Sequence, residues 1–357
     1  MGASLCKSCI PKRKKLKDDN NVLNKSQTKH ERPFTNQYLL NENLSSSEIN
    51  LLNQLRDGKE KFQRPKGIEF RGLINCKPVI RIASWNVNNL TTEKVMNPGV
   101  LTVICLTILE NNLSLIALQE VINKEAVEIV CNELNNPTLT KIKLSQNSRA
   151  WGFVMSDEPV GKGYQGHEYG TLIYDKSKGI KILASSQLNS STLSKSFIRN
   201  PFLVNVNIQK SFYLLAIFHI KAVTDSSKKI NDSRTSEELE DLSTLADAIN
   251  QTIKVNHKVI ILGDFNLNPT HECFKGLKEK NFMYCIDSSL STNTSKKSGK
   301  SYDNIWINKS CELYYTGSSG IISEGLYHKH IPKNGMMGWG GCASDHRPVW
   351  ADFFTRL

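Results

Sequence analysis

The chain has no run of apolar residues approaching the roughly 20 that a membrane-spanning helix needs, and no apolar segment follows its N-terminal charges as a secretory leader would require. The sequence therefore predicts neither. It also lacks a paired cysteine framework. Its nine cysteines, Cys6, Cys9, Cys76, Cys105, Cys131, Cys273, Cys285, Cys311 and Cys342, are odd in number and widely spread, as reduced core thiols are. Cys6 and Cys9 form C-x-x-C, but no second pair at metal-ligand spacing follows, which argues against structural zinc. A reducing, cytosolic setting is the expectation. Internal repeats are absent. Acidic residues are the scarcer charge, 34 against 46 Lys and Arg, leaving +12. That balance excludes an acidic chain and favours a polyanionic partner, nucleic acid or an acidic membrane.

What is there divides unequally. Residues 1–71 are rich in Lys, Asn and Ser and show no sustained periodicity, so they read as a largely disordered basic tail. One short helix is predicted over "SSSEINLLNQLRD", with Ser46 or Ser47 as its cap. The start is Met-Gly, and Gly2 is a myristoylation candidate, although the sixth position holds Cys6 in place of Ser or Thr. Cys6 and Cys9 are palmitoylation candidates, and "KRKKLK" at 12–17 is polybasic. One acyl chain anchors only marginally, so a second signal is needed. Here all the ingredients fall within 17 residues. The expectation is an anchor to the anionic cytoplasmic face of a membrane, most simply the plasma membrane. A plain basic tail addressed to nucleic acid or the nucleus is the competing reading.

From Val79 the pattern becomes regular, and residues 72–357 are expected to form the folded domain. "VIRIASWNV", "LSLIALQEV", "YGTLIYD", "FLVNVNI", "FYLLAIFHI" and "KVIILGDFN" read as strands. "NPGVLTVICLTILENN", with Pro98 near its start, "KEAVEIVCNELNN" and "SEELEDLSTLADAINQTIK" read as helices. Strands predominate with helices between them. The pattern suggests packed sheets covered by helices rather than one doubly wound parallel sheet.

Polar residues recur where these strands end. Asn86 follows "RIASW", Glu120 follows "LIALQ", and His219 follows "YLLAIF". Asp264 and Asn266 follow "VIIL", Asp303 enters "DNIWI", and Asp345-His346 precedes "RPVWADF". Each alone fits a turn, a surface residue or a satisfied core histidine. Several strands doing this independently is another matter. Metal-assisted phosphodiester hydrolysis needs these groups. A hard ion such as Mg²⁺ takes one or two carboxylates and keeps its waters. A histidine oriented by a carboxylate serves as general base, and donors must meet the phosphoryl oxygens. Glu120 suits the metal, Asp345-His346 an orienting pair, and Asp264 with Asn266 the water and the phosphate.

"SWN", "LQE", "GDFN", "YDNIWI" and "SDH", in that order over residues 78–355, resemble the endonuclease/exonuclease/phosphatase superfamily. "PVIRIASWN", "EKVMNPGV", "CLTILEN" and "WGGCASDH" resemble a vertebrate branch of it. In that branch helix-hairpin-helix repeats precede the nuclease-like domain. The tail here is too short for a tandem set, so a duplex-binding role of such repeats does not carry over.

The resemblance implies a four-layered α/β sandwich with two central mixed β-sheets flanked by helices. It implies Glu120 as principal metal ligand with Asn86 beside it and Asp345 opposite, for Mg²⁺ or Mn²⁺. It implies His346 at the scissile phosphate, Asp303 orienting a catalytic histidine, and Asp264 with Asn266 positioning water and phosphate. His219 is similar to the second histidine of the pancreatic deoxyribonuclease branch, with Glu168 as its carboxylate partner. Arg199, in "IRNPF", is similar to a phosphate-contacting arginine. The phosphoinositide branch carries a P-x-W-C-D-R type motif where this chain has "KSYDNIWIN", so a DNA nuclease acting as a monomeric catalytic domain is the leading expectation. A lipid-headgroup phosphodiesterase and a catalytically weak, membrane-tethered binding module stand as the alternatives.

Overall fold

The computed structural model describes residues 64–162, 166–188, 199–220, 257–295, 299–333 and 338–357. Gly2, Cys6, Cys9, the basic run 12–17 and the helices expected over 45–57 and 236–254 lie outside the described residues.

The first six strands are β1 (Leu73–Ile74), β2 (Lys77–Leu90), β3 (Leu113–Val121), β4 (Trp151–Met155), β5 (Gly161–Lys162) and β6 (His167–Asp175). The next six are β7 (Ile180–Gln187), β8 (Phe202–Ile208), β9 (Ser211–His219), β10 (Lys258–Asp264), β11 (Met283–Tyr284) and β12 (Asp303–Ile307). The chain then returns to the first sheet with β13 (Tyr315–Ile321) and β14 (Val349–Phe354). The first sheet runs β13-β14-β2-β3-β6-β4, with β1 on β2 and β5 on β6; the second runs β11-β12-β10-β9-β8-β7. Both are mixed: β2 is parallel to β3 and β9 to β10, and the other pairings are antiparallel.

Alternation in the central strands builds the layers. In β2, Ile80 and Ile82 enter the core between the sheets, while Ala83, Trp85 and Val87 enter the core beneath the helices. Asn86 therefore falls on the inter-sheet side. The helices on the first sheet are α1 (Thr92–Met96), α2 (Pro98–Glu110), α3 (Lys124–Asn135) and α4 (Thr140–Ser145). Asn97 caps α2, its Oδ1 accepting from Gly99 N and Val100 N ahead of a first-turn proline. That helix is apolar all round because it is buried from Pro98 to Leu109. The second sheet's outer face is covered by a short turn at Glu272–Phe274 and α5 (Lys275–Glu279). There Phe218, Phe265, Phe274 and Trp306 pack ring on ring at 6.2, 5.7 and 5.0 Å. A last short helix, α6 (Lys309–Glu312), follows β12. The result is the expected order of layers, helices on two packed sheets with a further helical cover.

One charged pair is buried in the first sheet. Arg81 on β2 donates from Nε and Nη2 to the two oxygens of Asp352 on β14, at 2.8 and 2.9 Å. Its guanidinium lies 3.8 Å from the Trp350 ring. It also reaches Asn111 O and Glu69 O. Residues 64–71, which the sequence reading assigns to the tail, are held here too. Arg64 pairs with Glu110 at 2.7 Å and donates to Gly325 O, and Ile68 N donates to Asn111 Oδ1.

Gly263 explains how the second sheet ends. It has φ +153°, and a Cβ there would stand 2.0 Å from Phe218 O on the neighbouring strand. Only glycine allows β9 and β10 to approach this closely one residue before Asp264. Gly263→Ala is expected to destabilise the protein by at least about 2 kcal/mol in urea denaturation. An unchanged midpoint would contradict this packing.

Candidate active site

Three strands of the second sheet end in one row. Asp264 on β10 lies opposite His219 on β9 and opposite Asp303 on β12. Register alone thus sets a carboxylate between an imidazole and a second carboxylate. All three are buried, Asp264 and Asp303 to 1% exposure or less.

Each histidine is oriented by its own acid. His219 Nδ1 is 2.7 Å from Glu168 Oε2, and His346 Nδ1 is 2.9 Å from Asp303 Oδ2. Both turn their Nε2 toward Asp264 Oδ2, at 3.8 and 3.7 Å, and His219 Nε2 is also 3.8 Å from Glu120 Oε1. Burial works against charge on both rings. For His219 the hydrogen bond and charge of Glu168, with Asp264, more than offset it and raise the pKa. For His346 the charges of Asp303 and Asp264 raise the pKa well above the ordinary value. Burial pushes the Asp303 carboxyl up to about 6, against the pull of His346. Asp264 is held below the usual carboxylate range. Its burial is outweighed by His346, His219, the Asn266 N–H and the Asn86 amide.

The first sheet supplies the facing wall. Asn86 donates from Nδ2 to both Glu120 Oε1, at 2.9 Å, and Asp264 Oδ2, at 3.0 Å, while its Oδ1 accepts from Asn88 N. In this arrangement Asn86 ties the two carboxylates together. Glu120 has φ +57° where the β3–β6 register slips between Leu118 and Val121. Such a bulge re-aims a side chain, and a left-handed glutamate stores strain at a functional position. Its Oε2 accepts from Asn89 N, where the β2–β3 register slips between Asn86 and Leu90 and Asn88 and Asn89 are also left-handed.

The "SDH" segment is fastened from beneath. Ser344 Oγ donates to Asn86 O, His346 N donates to Ser344 Oγ, and Trp85 Nε1 donates to His346 O. Asp345 is exposed, and its carbonyl accepts from Thr294 N. Asn266, also left-handed, donates its backbone N–H to Asp264 Oδ1 and its Nδ2 to Ile220 O. Arg199 lies with its Nε against Glu168 Oε1. The order Arg199–Glu168–His219 therefore puts that guanidinium behind the histidine.

The groups suit a hard divalent cation. Glu120 offers carboxylate oxygens with its side chain 22% exposed, and the charge of Asp345 reaches the same Lys94 as the charge of Glu120 does. A second cluster, Asp264, Asp303 and His346, brings its ligand atoms within 4.8 Å of one another. Asp303 Oδ1 there is buried without a hydrogen-bond partner among the described residues. Oxygen-rich donors and an unsatisfied buried carboxylate oxygen are what such an ion would use.

Sequence reasoning missed several contributors. Lys94, on α1, donates from Nζ to the carbonyls of Val87 and Asn88. Burial pushes its pKa down to about 8, against the raising charges of Asp345 and Glu120. It lies in "EKVMNPGV", which the sequence reading uses for the resemblance without giving this lysine a role. The Asn89 N–H is a backbone group that only the irregular end of β2 reveals. Trp85 and Ser344, inside "SWN" and "SDH", were within reach of the motif reading but act as fasteners.

Two histidine–carboxylate pairs over a shared acid, walled by oxygen ligands at one end of a double-sheet sandwich, are the groups that metal-assisted phosphoester hydrolysis uses. The comparisons agree. Residues 83–346 match the model of the Endonuclease/Exonuclease/phosphatase family. The human endonuclease/exonuclease/phosphatase family domain-containing protein 1 is 35% identical over 299 residues, covering 82% of this chain and 52% of that protein. Its Danio rerio counterpart is 32% identical over 291 residues, covering 79% and 52%. The chain belongs to the endonuclease/exonuclease/phosphatase family, whose members are generally metal-dependent phosphoester hydrolases. It spans about half the length of the curated relatives it matches. A family protein from Bacteroides thetaiotaomicron shares the fold at TM-score 0.53 and 12% identity, covering 79% of this chain and 99% of that one. Danio rerio TDP2, crystallised with a single-strand DNA product, does so at TM-score 0.50 and 16% identity, covering 77% and 98%.

Asn86→Ala removes the amide shared by Glu120 and Asp264. Phosphoester hydrolysis is expected to fall roughly 10²–10³-fold with the fold retained by circular dichroism. Activity within a few-fold of the parent would show the amide to be dispensable.

Proposed function

We propose that the chain is a Mg²⁺-dependent phosphodiesterase whose substrate is DNA. It would act as a monomeric catalytic domain held at the cytoplasmic face of a membrane by acylation at Gly2, Cys6 and Cys9 and by the basic run 12–17. Mn²⁺ is the expected substitute ion. The observation that carries the reading is the pair of opposed imidazoles, His219 and His346, turned toward one buried carboxylate.

A phosphodiester has a poor alkoxide leaving group. Its cleavage needs one group to take a proton from water and another to give a proton to the departing oxygen. Asp303 holds His346, and Glu168 with Arg199 holds His219, each by Nδ1, so each Nε2 is presented for transfer. Asp264 and Asn266 orient the water and a phosphoryl oxygen between them. Glu120, Asn86 and Asp345 would hold the metal ion, which would supply Lewis-acid stabilisation of the anionic transition state. The net charge of +12 favours a polyanionic substrate.

A second reading, hydrolysis of a lipid headgroup, draws on one observation. Tyr327 and Trp339, 46% and 63% exposed, stand on the segment that leads into the "SDH" loop.

The test is Mg²⁺-dependent turnover of labelled DNA and RNA beside phosphoinositide and sphingomyelin. DNA cleavage is expected, lowered by several orders of magnitude in Glu120→Gln, Asp264→Asn and His346→Ala while the proteins stay folded. Hydrolysis confined to lipid substrates would replace this reading with the second one. A folded chain without turnover would leave a binding module.

A further inference from the structure

Between Leu326 and the "SDH" loop the chain makes a narrow two-legged structure. Lys333 N donates to Gly338 O, and Gly340 N and Gly341 N both donate to Ile331 O. Pro332 faces Trp339, and Tyr327 faces Cys342, in antiparallel bridges. The legs are so close that a Cβ on Gly341 would stand 2.0 Å from Pro332 O. His328 N to Gly341 O and Ala343 N to Leu326 O extend the ladder down to Ser344. The backbone of Trp339 is therefore carried by a braced element only a few residues from His346.

That indole is 63% exposed, whereas Trp85, Trp151, Trp306 and Trp350 are exposed by 8% or less. Its neighbours on the same segment, Lys329 and Lys333, are exposed cations. At the base of the legs lies a cavity of about 440 Å³, lined by Ile331, Pro332 and Cys342 on one side and by Asn88, Asn89 and Lys94 on the other. Glu93 also reaches it. Asn89 is the residue whose N–H holds Glu120, so the cavity runs from the metal side of the site toward the element that bears Trp339.

We propose that this cavity and the exposed face of Trp339 form a subsite for an unpaired nucleobase next to the scissile phosphate, and so select single-stranded or frayed DNA. The inference rests on the DNA reading given above and adds its strand preference. An exposed π-face on a segment that also carries Lys329 and Lys333 offers stacking to a base and positive charge to its backbone. A duplex keeps its base faces in the stack and offers none to an indole. A bilayer or protein partner would call for a contiguous apolar patch. Tyr327 and Trp339 are the large hydrophobic residues exposed on this segment among the described residues, and they are separated by lysines, His330 and Pro332.

The full chain carrying Glu120→Gln binds without turning over and serves as the parent. Single-stranded and duplex oligonucleotides of one sequence are titrated by fluorescence anisotropy, with intrinsic tryptophan emission as the second readout. The other four indoles are buried, so quenching reports Trp339. Single strands are expected to bind more tightly than duplex and to quench the emission. Trp339→Ala should abolish the quenching and weaken single-strand binding about tenfold, with Trp339→Phe restoring most of the affinity and both variants melting like the parent.

Equal single-strand affinity in Trp339→Ala would overturn the subsite while leaving the DNA reading intact. A parent that binds no nucleic acid would overturn both. Quenching by vesicles of phosphatidylserine and phosphatidylcholine, with none by DNA, would assign the indole to a lipid surface instead.

Discussion

The site is organised around one buried anion. Asp264 is 1% exposed, and an ionised carboxylate in that position costs several kcal/mol unless its lone pairs are met. Two donors do so, the Asn86 amide and the Asn266 N–H, while the imidazoles of His219 and His346, 3.8 and 3.7 Å away, supply positive charge. Each of these groups has to be held in turn, and each holder is another element of the site. Glu168 and Asp303 orient the imidazoles, a left-handed turn aims the Asn266 N–H, and β2 delivers Asn86 across the gap between the sheets. Removing any of these leaves a buried charge underpaired, so the constellation is specified by the cost of its alternatives.

The fold meets that demand mainly through register. Parallel pairing of β9 with β10 and antiparallel pairing of β10 with β12 place His219, Asp264 and Asp303 in one row. Gly263 allows the approach that makes the row possible. The opposite wall is secured by Trp85 and Ser344, which join the "SDH" loop to β2. Left-handed residues line both sides of the site, Glu120, Asn88 and Asn89 on the metal side and Asn266 after β10. The Arg81–Asp352 pair, four or five residues down β2 from Trp85 and Asn86, ties β2 to β14. The surrounding core therefore holds the conformation while the site retains its strain.

Much of this was legible in the sequence where local pattern decides. β3 and β8 coincide with the runs "LSLIALQEV" and "FLVNVNI" because both are largely buried and apolar. The α2 start follows from Asn97 and Pro98. The order of "SWN", "LQE", "GDFN" and "SDH" marked the polar strand ends. The rest depends on contacts remote in sequence. β7 is mostly exposed and presents no clean alternation, so periodicity does not reveal it. The resemblance implies Asn86 beside Glu120 at the metal, but its hydrogen bonds to Glu120 and Asp264, 34 and 178 residues away, follow only from the joint geometry of the two sheets. Arg199 was read at the phosphate, and its approach to Glu168 depends on how β6 meets the segment before β8. Lys94 and Trp339 fall inside the quoted runs "EKVMNPGV" and "WGGCASDH", but their place at the site follows only from the fold.

The central claim is that the two dyads divide the two proton transfers of phosphodiester cleavage. The measurement that tests it is the turnover of Glu168→Gln and Asp303→Asn on two diesters, one with an alkoxide and one with a p-nitrophenolate leaving group. p-Nitrophenolate departs without a proton, so an acid is needed only for the alkoxide. The account predicts that one variant loses far less on the p-nitrophenyl diester than on the alkyl diester, while the other loses equally on both. Equal losses for both variants on both substrates would contradict it, and would leave Asp264 as the centre of a site in which the imidazoles only bind.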